Sequence, residues 1–203
     1  MTKQVLYASA VVAGIAMLTS GAARLAAQAA PAKITVTSPV IKDGQTIPVD
    51  YTGSTGAKNM SPALMWSGAP ASTKQFALIL DDPDANFGGM PFVHWVVYKI
   101  PGTATGLPEA LPAGAVASGP LAGTIQGFSG FFSGRGRAGA PPATPVYRGP
   151  APPPGIPHHY HFTVYALDAA LDLQEGLNKA QLLDAMKGHI VGQGELVGVF
   201  ENK

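Results

Sequence analysis

The sequence predicts a mainly β fold, an antiparallel two-sheet β-sandwich with a short C-terminal helix, on three observations. Gly and Pro are abundant, 25 and 19 of 203 residues, and they cut the chain into short apolar runs rather than long helical patterns. These runs recur at the spacing of sandwich strands. One segment near the C-terminus carries a clear helical period.

Taken in order, residues 1–29 read as a signal peptide. Lys3 gives a weak positive start, 5–18 is an uncharged apolar run, and Ala27-Gln28-Ala29 offers the small-x-small pattern read by signal peptidase. An uncleaved anchor is the competing reading. The run is short for a span, which needs about 20 residues, and small residues follow it rather than a basic stop. Cleavage after Ala29 would place residues 30–203, as one domain, in the periplasm or outside the cell. It would also remove Lys3 and Arg24 and no acid, leaving 11 basic side chains (13 less those two) against 12 acidic ones. So balanced a charge provides no general field to recruit nucleic acid or an anionic membrane. With no Cys in the chain, a disulfide framework is excluded and stability must come from the core.

Strands are predicted at 33–37, 46–51, 63–67, 75–80, 92–100, 160–167 and 194–200. The helix is predicted from Asn178 as N-cap, with Ala180, Leu182, Leu183 and Met186 at helical spacing, Lys187 in the last turn and Gly188 as its stop. Residues 129–145, a Gly, Ala and Pro stretch carrying Arg135 and Arg137 behind Phe131-Phe132, have neither period and read as a loop insertion. A basic lid and a solvated insertion both fit it.

Two segments concentrate ionisable groups at the edges of apolar runs: Asp82-Pro83-Asp84-Ala85 leading to His94, and the Pro-rich stretch 149–157 leading to His158-His159-Tyr160. Strand alternation puts His158, Tyr160, Phe162 and Val164 on one face, and His159, His161, Thr163 and Tyr165 on the other. The three histidines therefore do not converge as a metal site needs, and no metal or other cofactor is expected. The same alternation puts His94 on a face with Val96 and Tyr98. Asp-Pro-Asp should end the preceding strand and return a carboxylate toward a histidine, fixing its tautomer; the same residues also suit an ordinary turn.

Asp82-Pro83-Asp84-Ala85, His94-Trp95-Val96-Val97, and Gly149 through Gly155 running to His158-His159-Tyr160 together resemble the phosphatidylethanolamine-binding protein family, in its bacterial Raf-kinase-inhibitor-like branch. Ser61-Pro62-Ala63-Leu64, Gly188-His189-Ile190 and Gly194-Glu195-Leu196 add to the likeness. The resemblance implies a β-sandwich with a cavity for phosphate-like anions or phospholipid headgroups. Carried over by motif, the cavity residues are Asp82, Asp84, His94, Pro152, His158 and Tyr160. Asn86 stands where the family commonly has Pro, leaving the following turn less rigid.

In such a cavity His94 and His158 are expected to donate to phosphate oxygens, with Tyr160 adding a hydroxyl and an aspartate orienting a histidine. A carboxylate pairing with a headgroup ammonium is the alternative. The leading function is thus an exported protein binding a small anionic ligand such as phosphate or a phospholipid headgroup. An extracytoplasmic protein inhibitor or regulator is the second reading. An enzyme using the same Asp and His residues is the third, and no nucleophile-elbow, zinc-protease or P-loop motif supports it.

Overall fold

The computed structural model describes residues 30–116, 118–130 and 145–203. The expected signal peptide and most of the loop at 129–145 lie outside the described residues. Within them the order is β1 (Ala32–Lys33), β2 (Thr35–Thr37), β3 (Gln45–Thr46), β4 (Leu64–Ser67), β5 (Gln75–Phe87), β6 (Met90–Pro101), β7 (Gly106–Leu107), β8 (Ile125–Gln126), β9 (His158–Leu167), α1 (Lys179–Met186) and β10 (Ile190–Phe200).

Long apolar runs form the central strands. A large sheet runs β1-β10-β9-β5-β6-β8, with β3 also on β10, and a small sheet runs β2-β4-β7. Alternate residues of β5, β6 and β9 (Leu78, Leu80, Trp95, Val97, Phe162, Val164) pack against Val36, Leu64, Trp66 and Leu107 of the small sheet. Their other faces, with Ala77, Ile79, Val96 and Tyr98, pack under Leu182 and Met186 of α1. Both faces of the central strands are covered, which explains why their sequences are almost continuously apolar. Each fully buried large side chain, such as Phe162, contributes about 2 kcal/mol.

The helix begins as its sequence predicts. The Asn178 side chain accepts from the Gln181 N–H at 3.0 Å, and Gln181 returns a bond to the Asn178 N–H at 3.1 Å, a reciprocal capping box. Lys179 pairs with Asp81, tying the helix start to β5.

Several boundaries differ from expectation, each for a local reason. The predicted strand 46–51 stops at Thr46; after Pro48 the chain makes a single 3-10 turn, Val49–Tyr51, whose Val49 carbonyl accepts from the Thr52 hydroxyl at 2.9 Å. Asp-Pro-Asp does not end its strand: β5 continues to Phe87 and turns into β6 through Gly88-Gly89, both at positive φ. The short strands β7 and β8 are only two residues each, too short to show a period. Pairings of β10 with β1 and β3 are parallel, so the large sheet is mixed rather than wholly antiparallel.

Candidate functional site

The site begins with a fault in strand register. Leu80 pairs with Trp95 but Asp81 pairs with Val93, so one step on β5 answers two on β6 and His94 is the extra residue of a β-bulge. This corrects the alternation expected for His94. Val96 and Tyr98 pack beneath the helix, whereas the His94 ring turns to the other side. There it meets Tyr160 edge-on at 5.2 Å between centroids, with Nε2 4.0 Å from Asp82 Oδ2.

Asp82 follows Leu80 in alternation and so enters the same face, where it is 2% exposed. Its Oδ1 accepts from the backbone N–H groups of Asp84 and Ala85, each at 2.9 Å. Pro83 between them has no N–H to compete, and the carboxylate closes the turn. Its Oδ2 accepts from His158 Nδ1–H at 2.8 Å. The buried acid is thus held from two strands.

The remaining wall is the chain from Tyr147 onward. The Tyr147 hydroxyl donates to the Tyr51 carbonyl at 2.6 Å, the Gly149 N–H to Asn59 Oδ1 at 2.8 Å, and the Gly53 N–H to the Pro150 carbonyl at 2.7 Å. Gly149 is pressed so closely that a Cβ would lie 2.5 Å from the Thr52 carbonyl carbon. Asn202 donates to the Pro152 carbonyl at 2.7 Å and anchors the Pro-rich turn to the C-terminus. Between these anchors, the Arg148 N–H donates to the His94 carbonyl at 3.0 Å and His94 Nδ1–H donates to the Arg148 carbonyl at 2.6 Å.

The result is a cavity of about 200 Å³ that brings together Asp82, His94, Pro152, His158 and Tyr160. Asp84, the sixth residue carried over from the sequence, does not line it. Its carboxylate turns outward to accept from the His159 N–H at 2.7 Å and Nδ1–H at 2.8 Å. Burial alone would raise the Asp84 pKa, but these bonds outweigh it and hold the carboxyl below its usual range. His159 is exposed, and His161 pairs with Glu195 at 3.0 Å; both lie on the face opposite His158, as alternation predicts. A larger hollow of about 550 Å³ lies beside α1, but its one ionisable lining group, Lys179, is already paired with Asp81.

Sequence reasoning missed Arg148, Phe92 and Ala85, which also line the cavity. The Arg148 guanidinium lies 5.1 Å over the Phe92 ring at the exposed side. An aromatic two residues before the bulged histidine was the available signal for Phe92. Arg148 had only its place beside the Pro-rich segment.

Electrostatics assign roles. Burial pushes the His94 pKa down to about 4, against the opposing pull of its bond to the Arg148 carbonyl and of Asp82. The neutral ring spends its one N–H on that carbonyl, so Nε2 offers a lone pair to the cavity. His94 is therefore an acceptor at neutral pH, not the donor expected from the sequence. Tyr160 is fully buried, and burial together with the nearby Asp82 charge raises its pKa. Its hydroxyl stays protonated and lies against Asp82, but makes no hydrogen bond of normal geometry among the described residues.

The His94 shift has a consequence for stability. Its folded pKa lies below the unfolded value of about 6.5, so the unfolded chain binds the proton more readily and stability falls as pH drops from 6.5 through 4. Urea unfolding across this range should show a loss of about 3 kcal/mol from this residue. His94→Gln, which has no ring to protonate, should show a correspondingly flatter profile; an unchanged slope would contradict the assignment.

A profile of the phosphatidylethanolamine-binding protein family matches residues 37–201. A UPF0098 protein of Methanothermobacter thermautotrophicus is 40% identical over 159 residues, 78% of this chain and 92% of that protein. The protein named "Putative lipoprotein LppC" in Mycobacterium tuberculosis H37Rv is 39% identical over 170 residues, 83% of this chain and 72% of its own length. Among solved structures, YbcL of E. coli, described as a member of the mammalian PEBP family, superposes with a TM-score of 0.67 at 32% identity, covering 84% of this chain and 99% of that one. With two packed sheets, one helix and the motifs in order, this chain belongs to the phosphatidylethanolamine-binding protein family.

Proposed function

We propose that the protein is an exported binding protein for a small oxyanion, phosphate or a phospholipid headgroup, held in the cavity of Asp82, His94, His158 and Tyr160. The observation that carries this reading is the buried Tyr160 hydroxyl, which lies against Asp82 without a hydrogen bond of normal geometry among the described residues, in a cavity whose open side carries the Arg148 guanidinium. A buried donor without a well-formed hydrogen bond is costly, and a ligand oxygen would satisfy it. No described carboxylate pairs with Arg148, which leaves its charge for an anion. The anchored wall from Tyr147 to Pro152 needs no ordering on binding, which favours affinity.

Binding rather than catalysis is the reading because the lining contains no Ser, Thr, Cys or Lys, and its one hydroxyl, on Tyr160, is made less acidic by burial. Export is supported by the apolar run and Ala27-Gln28-Ala29, and by the lipoprotein name of the mycobacterial relative. No described helix is long and apolar enough to cross a membrane.

Titration with inorganic phosphate at pH 6 tests the site. His158→Ala should weaken binding by at least about tenfold, and Tyr160→Phe by about ten- to a hundredfold, the cost of one hydrogen bond to a charged group. His161→Ala, on the opposite face, should stay within about twofold. Equal losses for His158→Ala and His161→Ala would overturn the reading. For export, N-terminal sequencing of protein from the cell envelope should find a start at or near Ala30; an intact Met1 on cytoplasmic protein would contradict it.

A further inference from the structure

Resting on the oxyanion reading above, we propose that the cavity selects oxyanions that carry a proton, inorganic phosphate or the monoanion of a phosphomonoester, and discriminates against sulfate and simple phosphodiesters. The reason is the arrangement of lone pairs. His94 Nε2 and Asp82 Oδ2 lie 4.0 Å apart in the same lining, and both are acceptors. Neither is free to become a donor. His94 Nδ1–H is committed to the Arg148 carbonyl at 2.6 Å, and that carbonyl sits in a stretch fixed through Tyr147 and Gly149. Asp82 Oδ1 is committed to two backbone N–H groups and Oδ2 to His158.

The groups facing His94 come from three elements. Asp82, with the field of Asp81 behind it, belongs to β5; His158 and Tyr160 belong to β9; Arg148 belongs to the segment before β9. Tyr160 and Arg148 supply donors to the lining, while Asp82 and the His94 lone pair supply acceptors. A ligand that fills this cavity must therefore both accept and donate. Hydrogen phosphate does so: its unprotonated oxygens meet Tyr160 and Arg148, and its P–OH meets His94 or Asp82. Sulfate is fully ionised and would turn an oxygen toward the carboxylate and the lone pair. Selection against such a ligand comes from repulsion and an unsatisfied acceptor rather than from lost contact area.

Phosphate chemistry separates the possible sources. Inorganic phosphate keeps a proton as its dianion, so it remains a donor at pH 8. A phosphomonoester loses its last proton near pH 6. A phosphodiester has none, although the diester of an ethanolamine headgroup carries donors on its ammonium. His94 remains neutral down to about pH 4, so its lone pair is present throughout the range tested.

The experiment is calorimetric titration of the mature chain with inorganic phosphate, phenyl phosphate, dimethyl phosphate, glycerophosphoethanolamine and sulfate, at pH 5 and pH 8. Ratios of affinities at one pH cancel the titration of the protein's own groups. We expect phosphate to exceed sulfate and dimethyl phosphate by at least about tenfold at both values. The ratio of phenyl phosphate to phosphate affinity should fall by about tenfold or more between pH 5 and pH 8. His94→Gln, whose amide can turn an N–H inward, should bring the phosphate-to-sulfate ratio toward one; should that variant fail to fold, the wild-type ratios decide alone. Sulfate binding as tightly as phosphate overturns the selection while leaving the oxyanion reading standing. Tight glycerophosphoethanolamine with weak phosphate overturns it in favour of an ammonium on the acceptors. Failure of all five ligands to bind overturns the oxyanion reading itself, and the selection with it.

Discussion

The buried carboxylate of Asp82 is the constraint on which the rest of the site depends. One oxygen closes the turn at Pro83 and the other orients His158 across the sheet, so a single side chain fixes both the path of β5 and the ring on β9. A carboxylate 2% exposed is tolerable only because three donors are aimed at it. Removing one of its partners would leave a buried acceptor unsatisfied, whereas the exposed pair of Asp84 and His159 has water to replace a lost bond. The difference separates two aspartates that look equivalent in Asp-Pro-Asp.

The second constraint is the β6 bulge. Without the extra residue, His94 would follow alternation into the layer beneath α1, with Val96 and Tyr98, and the cavity would lack its deep acceptor. The bulge turns the ring toward Tyr160, and the carbonyl of Arg148 then settles which nitrogen carries the proton. Because Arg148 and His94 exchange backbone and ring bonds, the wall and the strand hold each other. The cavity is thus preformed by backbone contacts, and its polar character follows from where those contacts leave lone pairs.

Much of this was legible in the sequence where a residue's own chemistry decides its structure. The alternation of β9 separated His158 and Tyr160 from His159 and His161, since a period of two has no other outcome in a regular strand. Asn178 announced the helix start. The bulge at His94 was not legible, because an extra residue leaves no mark in composition and depends on the register of the partner strand. Arg148 escaped for a related reason: its role comes from Tyr51, Asn59 and Phe92, which are distant in sequence. The turn at Pro83 was misplaced as a strand end because the same residues serve both a turn and a distorted hairpin.

The most direct measurement is nitrogen-15 NMR of the histidine rings in the folded protein at pH 7, before and after addition of phosphate. Predicted is a neutral His94 with its proton on Nδ1 and an unprotonated Nε2 that shifts when phosphate binds, as the His158 ring also should. The ring of His189, paired with Asp168 at the opposite end of β9, should not respond. A His94 proton found on Nε2, or a phosphate response no larger at His94 than at His189, would contradict the assignment of His94 as the acceptor that defines the cavity.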